Sequence, residues 1–103
     1  MSSGLTFYLK NDNIVEITGL RFHNGDYVNG AMVEFTIYDS EDNVVFGRQM
    51  EYVQDSNGHY RTVIPYDIEL NKKRYHATMD AFSNARRAHW EGTLIVRERS
   101  FRD

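Results

Sequence analysis

Nine consecutive residues near the middle of the chain, Ala31–Asp39, carry the strongest pattern in it. Ala31, Val33, Phe35 and Ile37 fall on one side; Met32, Glu34, Thr36 and Tyr38 fall on the other. A strand sends successive side chains to opposite faces, so a period of two requires a strand with one buried face. The pattern recurs on both sides of this segment. Tyr60, Thr62 and Ile64 alternate with Arg61 and Val63, and Tyr75, Ala77, Met79 and Ala81 alternate with His76, Thr78, Asp80 and Phe82.

Turn signals separate these runs and set the expected strands at Leu5–Leu9, Ile14–Leu20, Ala31–Asp39, Asn43–Met50, His59–Ile64, Arg74–Phe82 and His89–Arg97. Glu51–Gln54 follows the fourth. Gly19 bends the second, and Asn24-Gly25, Asn29-Gly30 and Asp55-Ser56-Asn57-Gly58 supply residues suited to positive φ. Pro65 closes the fifth strand because it has no amide hydrogen to donate. Ser83–Ala88 reads as a loop or a single helical turn. No segment demands a longer helix. The expectation is an antiparallel all-β sandwich of about seven strands. Its core should be lined or bordered by Val33, Phe35, Ile37, Tyr60, Thr62, Tyr75, Ala77, Met79, Leu94 and Val96.

Composition agrees. Val, Ile, Thr, Phe, Tyr and Trp supply 34 of the 103 residues against 5 Ala, a balance suited to a pleated, half-buried surface. The length suits one domain over residues 1–103, with about 98–103 as a flexible tail. No apolar run approaches the length of a membrane span, and Met1–Lys10 lacks the layout of a signal peptide. The absence of Cys removes disulfides, thiol catalysis and Cys-based zinc sites. A net charge of −3 argues against nucleic acid as a partner. The charge is uneven: residues 1–71 balance to −7 and residues 72–103 to +4. Either the two portions pair across one sheet, or they form a surface that meets another molecule.

Few constellations could carry chemistry. His23, His59, His76 and His89 fall on separate elements without metal-ligand spacing. Asp39-Ser40-Glu41-Asp42-Asn43 is rich in oxygen donors, yet it lacks EF-hand spacing and reads as a turn. The serines sit at the termini or in turns without a nucleophile elbow. Glu34 with Glu51, and Asp67 with Glu69, stand at strand spacing on faces expected to be exposed. An enzyme is not expected, nor a metal or other cofactor. The binding candidates are Arg86, Arg87, His89 and Trp90, which combine guanidinium groups, an imidazole and the only Trp.

A resemblance adds to this reading. Tyr27–Asp39, Asn43-Val44-Val45, Asn57-Gly58-His59-Tyr60-Arg61, Ile64-Pro65, Leu70 and Tyr75-His76-Ala77-Thr78 precede a strand bearing Trp90. This order resembles bacterial and phage immunoglobulin-like modules, in particular small phage-encoded proteins of about this length. It covers roughly residues 11–97 and departs where the usual Pro-Gly before the Tyr is Asn71-Lys72-Lys73-Arg74. The resemblance implies an immunoglobulin-like sandwich in which Tyr75 bonds back to backbone near Leu70–Lys72 as a tyrosine corner. It also implies a structural or assembly protein of a phage or prophage particle, located in the virion or host cytoplasm. Its partners would be other virion proteins or copies of itself, as a homo-oligomer. The alternative is a carbohydrate- or receptor-binding sandwich that stacks ligands on Trp90 with Tyr8, Tyr38 or Tyr52. A regulatory partner or inhibitor is a third.

Overall fold

The computed structural model describes residues 4–21, 25, 27–71, 73–83 and 86–97. Alternation becomes seven strands: β1 (Gly4–Tyr8), β2 (Asn13–Ile17), β3 (Met32–Tyr38), β4 (Val44–Tyr52), β5 (Tyr60–Ile64), β6 (Arg74–Ser83) and β7 (Arg86–Arg97). All ten expected core residues are buried, and Phe7, Val15, Val28, Met50, Ile64 and Ala81 join them. Burial is the driving term: each large apolar side chain removed from water contributes about 1.5–3 kcal/mol. Pairing the strands satisfies the backbone groups that burial would otherwise leave without partners.

The strands form a single mixed sheet in the order β1-β7-β6-β3-β4-β5-β2. It curls into a nearly closed barrel instead of dividing cleanly into two layers. The cause lies in β4. Its first part pairs with β3 from Val44 to Met50, and Glu51 and Tyr52 then pair with β5 without any break between. Nothing in Val44–Tyr52 forms a turn that would separate two sheets. Where the short β4–β5 ladder ends, the Arg48 guanidinium donates to the Val63 carbonyl at 2.7 Å and spans the gap. The sheet is also not wholly antiparallel, because β1 runs parallel to β7 from Gly4–Thr93 to Tyr8–Arg97.

Connections follow from local chemistry. In the β3–β4 hairpin the Asp39 carboxylate accepts from the Glu41 and Asn43 amides, each at 2.9 Å. Asp42 takes a φ of 63°. The acidic loop is therefore a turn that uses a carboxylate on its own backbone. A shift of register follows between Ile37 and Tyr38, which pair with Phe46 and Val44. The extra residue, Val45, is left exposed beside Val44. At the start of β6 the Tyr75 hydroxyl meets upstream backbone as a tyrosine corner would, here as acceptor: the Asn71 amide donates to it at 2.9 Å.

Candidate functional site

The sequence places Arg86, Arg87, His89 and Trp90 in or just after a loop. His89 and Trp90 lie in the last strand as expected, but Arg86 and Arg87 belong to it too, as the opening of β7, because the β6–β7 ladder runs without interruption to Ser83–Arg86. Only Asn84 and Ala85, outside the described residues, separate that last pair. The expected loop at Ser83–Ala88 is thus mostly strand. A two-residue connection suffices here, and the small Ala81 and Ala88 face each other across the ladder near its end.

Alternation along β7 then divides the candidates. Trp90 lies on the inner side with Leu94 and Val96, half-buried and packed on the core. It also lines a cleft of about 520 Å³ with Leu5, Ile17, Leu20 and Met79. The tyrosines proposed to share a stacking platform with it lie elsewhere. Tyr52 packs on Tyr60 at 5.5 Å between ring centroids, and Tyr38 packs on His76 at 6.1 Å. Tyr8 lines a different cavity, beside Asn13 and Tyr66. Arg86 pairs through its backbone, and its side chain lies outside what is described. Arg87 and His89 face outward.

On the outer face Arg87 and His89 join an ionic row. Asp80 stands opposite His89 in the ladder. Its Oδ1 accepts from Arg87 Nη2 at 2.8 Å and lies 2.7 Å from His89 Nδ1. The other imidazole nitrogen, Nε2, lies 3.1 Å from Glu91 Oε2. His76 Nε2 approaches the same Glu91 oxygen at 3.7 Å. Hydrogen bonds to the carboxylates of Asp80 and then Glu91 raise the His89 pKa. Partial burial pushes the Asp80 carboxyl up, but hydrogen bonds from His89 and Arg87 outweigh it and hold the pKa below its ordinary value. The hydrogen bond with His89 is the main cause lowering Glu91.

This arrangement disfavours base chemistry at His89. A general base needs a free lone pair within reach of a substrate proton; both ring nitrogens here face carboxylates. No group of three or more His, Asp or Glu side chains among the described residues is placed to hold a metal. Thr78 Oγ1, buried in β6 between these charged neighbours, has no partner among the described residues. The row also bears on the charge split between the two portions of the chain. Basic β7 and the charge-balanced β6 lie between β1 and β3, and Arg87 is met by Asp80 within its own hairpin.

Beside the ionic row lies a feature that sequence reading missed. Met32 of β3 and Phe82 of β6 are cross-strand partners on the same outer face. They are 53% and 46% exposed. The Arg87 guanidinium carbon sits 5.6 Å from the Phe82 ring centroid. The signal was available: a two-residue connection at Asn84-Ala85 sets Phe82 opposite Arg87 and Asp80 opposite His89. Assuming a longer loop concealed it. Comparison with known proteins gives no match: no family model, curated protein or solved structure is detectably similar to this chain.

Proposed function

We propose that this chain is a non-enzymatic structural or assembly module acting through protein–protein contacts on the outer face of β3, β6 and β7. The observation that carries the reading is the exposed Met32–Phe82 pair with Arg87 laid against it. Met, aromatic residues and Arg are enriched at protein interfaces, where aromatic anchors and Arg supply much of the binding energy. Strands position this pair rigidly, which lowers the entropy cost of meeting a partner. Arg87, His89 and, on the adjoining backbone, Arg86 flank it; Trp90 supports the same hairpin from inside.

The finer fold reading is an immunoglobulin-like sandwich. Its support is neighbourhood: β3-β6-β7 and β2-β5-β4 adjoin as strands C-F-G and B-E-D do in such domains. The parallel β1–β7 pair and the continuous β4 are the departures. With the resemblance in the middle of the chain, this arrangement supports a phage or prophage virion component that meets other virion proteins or copies of itself.

Two measurements test the proposal. Mass analysis of purified particles should find the protein; its absence from every intact particle and assembly intermediate would remove the virion reading. A Met32→Asp/Phe82→Asp variant should fold but lose attachment, read by light scattering for self-association and by co-purification for a virion partner. Retention of all contacts by that folded variant would remove this face as the interface.

A further inference from the structure

We propose that His89 is a proton-dependent clasp that joins β6 to its own strand across the outer face. One imidazole reaches two carboxylates from opposite ring nitrogens: Asp80 on β6 at 2.7 Å and Glu91 on β7 at 3.1 Å. Only the imidazolium has two N–H donors; a neutral ring has one donor and one lone pair. Loss of the proton to solvent therefore sets a lone pair against one carboxylate, and one of the two links must open. Glu91 is the arm that leaves, because its side chain is 61% exposed against 21% for Asp80.

The surroundings favour the closed, protonated state. Asp80 and Glu91 contact the ring directly, and Glu34 on β3 stands opposite Asp80 in the ladder. Arg87 on β7 also binds Asp80, and His76 on β6 shares Glu91. At the cleft rim His89 stands with Glu16 and Arg21, but Glu16 is engaged by His59 and Arg21 by Tyr27. Release of Glu91 leaves the β6–β7 link from His89 to Asp80 as a hydrogen bond from a neutral ring, weaker than its charge-assisted form. The face becomes one unit more negative, Arg87 is the cation left on Asp80, and the first residues of β7 are held less firmly. The clasp stands on this geometry alone and does not depend on the assembly reading.

The test is a ring-proton NMR titration of the full chain, with amide hydrogen exchange measured along residues 87–91. His89 should titrate above the ordinary imidazole value of about 6.5, and its midpoint should fall in Asp80→Asn and in Glu91→Gln. Exchange at those amides, corrected for intrinsic rates, should accelerate through the same midpoint. Glu91→Gln changes an exposed position and carries the test if Asp80→Asn does not fold. An ordinary midpoint unmoved by Glu91→Gln, or exchange that stays flat through the midpoint, overturns the clasp. Neither result depends on whether a partner binds the face.

Discussion

The side-chain amide of Asn13 pairs with both backbone polar groups of Tyr8, as a neighbouring strand would. The Tyr8 amide donates to Asn13 Oδ1 at 3.0 Å, and Asn13 Nδ2 donates to the Tyr8 carbonyl at 3.2 Å. Tyr8 ends β1 and Asn13 begins β2, the two outermost strands of the sheet. One side chain thus links the open edges of the barrel. Replacing Asn13 by Ala should destabilise the fold by about 1–2 kcal/mol, since partly buried groups lose their partners. Urea denaturation gives the cost, and faster exchange of the Tyr8 amide locates it; an unchanged midpoint would assign the pair no closing role.

Tyr60 should be more sensitive than Tyr75 to loss of its hydroxyl. The buried Tyr60 hydroxyl donates to the Val28 carbonyl at 2.7 Å and accepts from the Ala31 amide at 3.1 Å. Tyr60→Phe strands both groups and should cost about 1–3 kcal/mol. Tyr75→Phe removes one bond, from the half-buried region at Asn71, and should cost less. Parallel denaturation of the two variants checks the order.

Gly58 should not tolerate a side chain. Its φ is +64°, and a Cβ there would lie 2.4 Å from the Leu20 carbonyl oxygen, which is backbone and cannot rotate away. Gly58→Ala should cost at least about 1–2 kcal/mol from conformation alone. At Gly47 the nearest atom to an added Cβ is 3.9 Å away, so Gly47→Ala should be tolerated. Equal midpoints for the two variants would show that the contact with Leu20 is loose.

The outer ionic row should contribute most to stability in weakly acidic solution. His89 has a raised pKa, so its contribution is complete below the unfolded value and lost as pH rises through the folded one. Asp80 and Glu91 have lowered values, so theirs are present above the unfolded values and lost as pH falls through the folded ones. The shared window runs from about pH 4.5 to about 6.5. Urea midpoints of wild type and Glu91→Gln should differ most there; a gap that is constant from acid to alkali would show that the row does not titrate as a unit.

Burial was the legible part of this fold, and the way strands divide between layers was not. Val33, Phe35 and Ile37 announce their face by alternation alone, because nothing but the core can take three such side chains at every second position. Phe7 and Val15 lie in short strands, where few alternating positions are available to define a face. The path of β4 across the barrel depended on which neighbours it found at Met50 and Glu51, a tertiary outcome without a local signature. At the candidate site the residue types were visible, but their roles turned on two residues of loop length. With Ser83–Ala88 taken as a loop, Asp80 had no reason to meet His89. With Ser83 paired to Arg86, the same alternation puts Arg87 and His89 outside and Trp90 inside.

The parallel pairing of β1 with β7 has a kinetic consequence. Leu5 meets Leu94, and Phe7 meets Val96, across almost the whole length of the chain. During synthesis β1 has no strand neighbour until β7 has been made, and until then Phe7 has only the core side of its surroundings, such as Phe35, to pack on. Such long-range contacts raise contact order and slow folding toward the millisecond-to-second regime of all-β domains. They also leave β1 without a strand partner until β7 exists, the interval in which an exposed strand is most open to pairing with another chain.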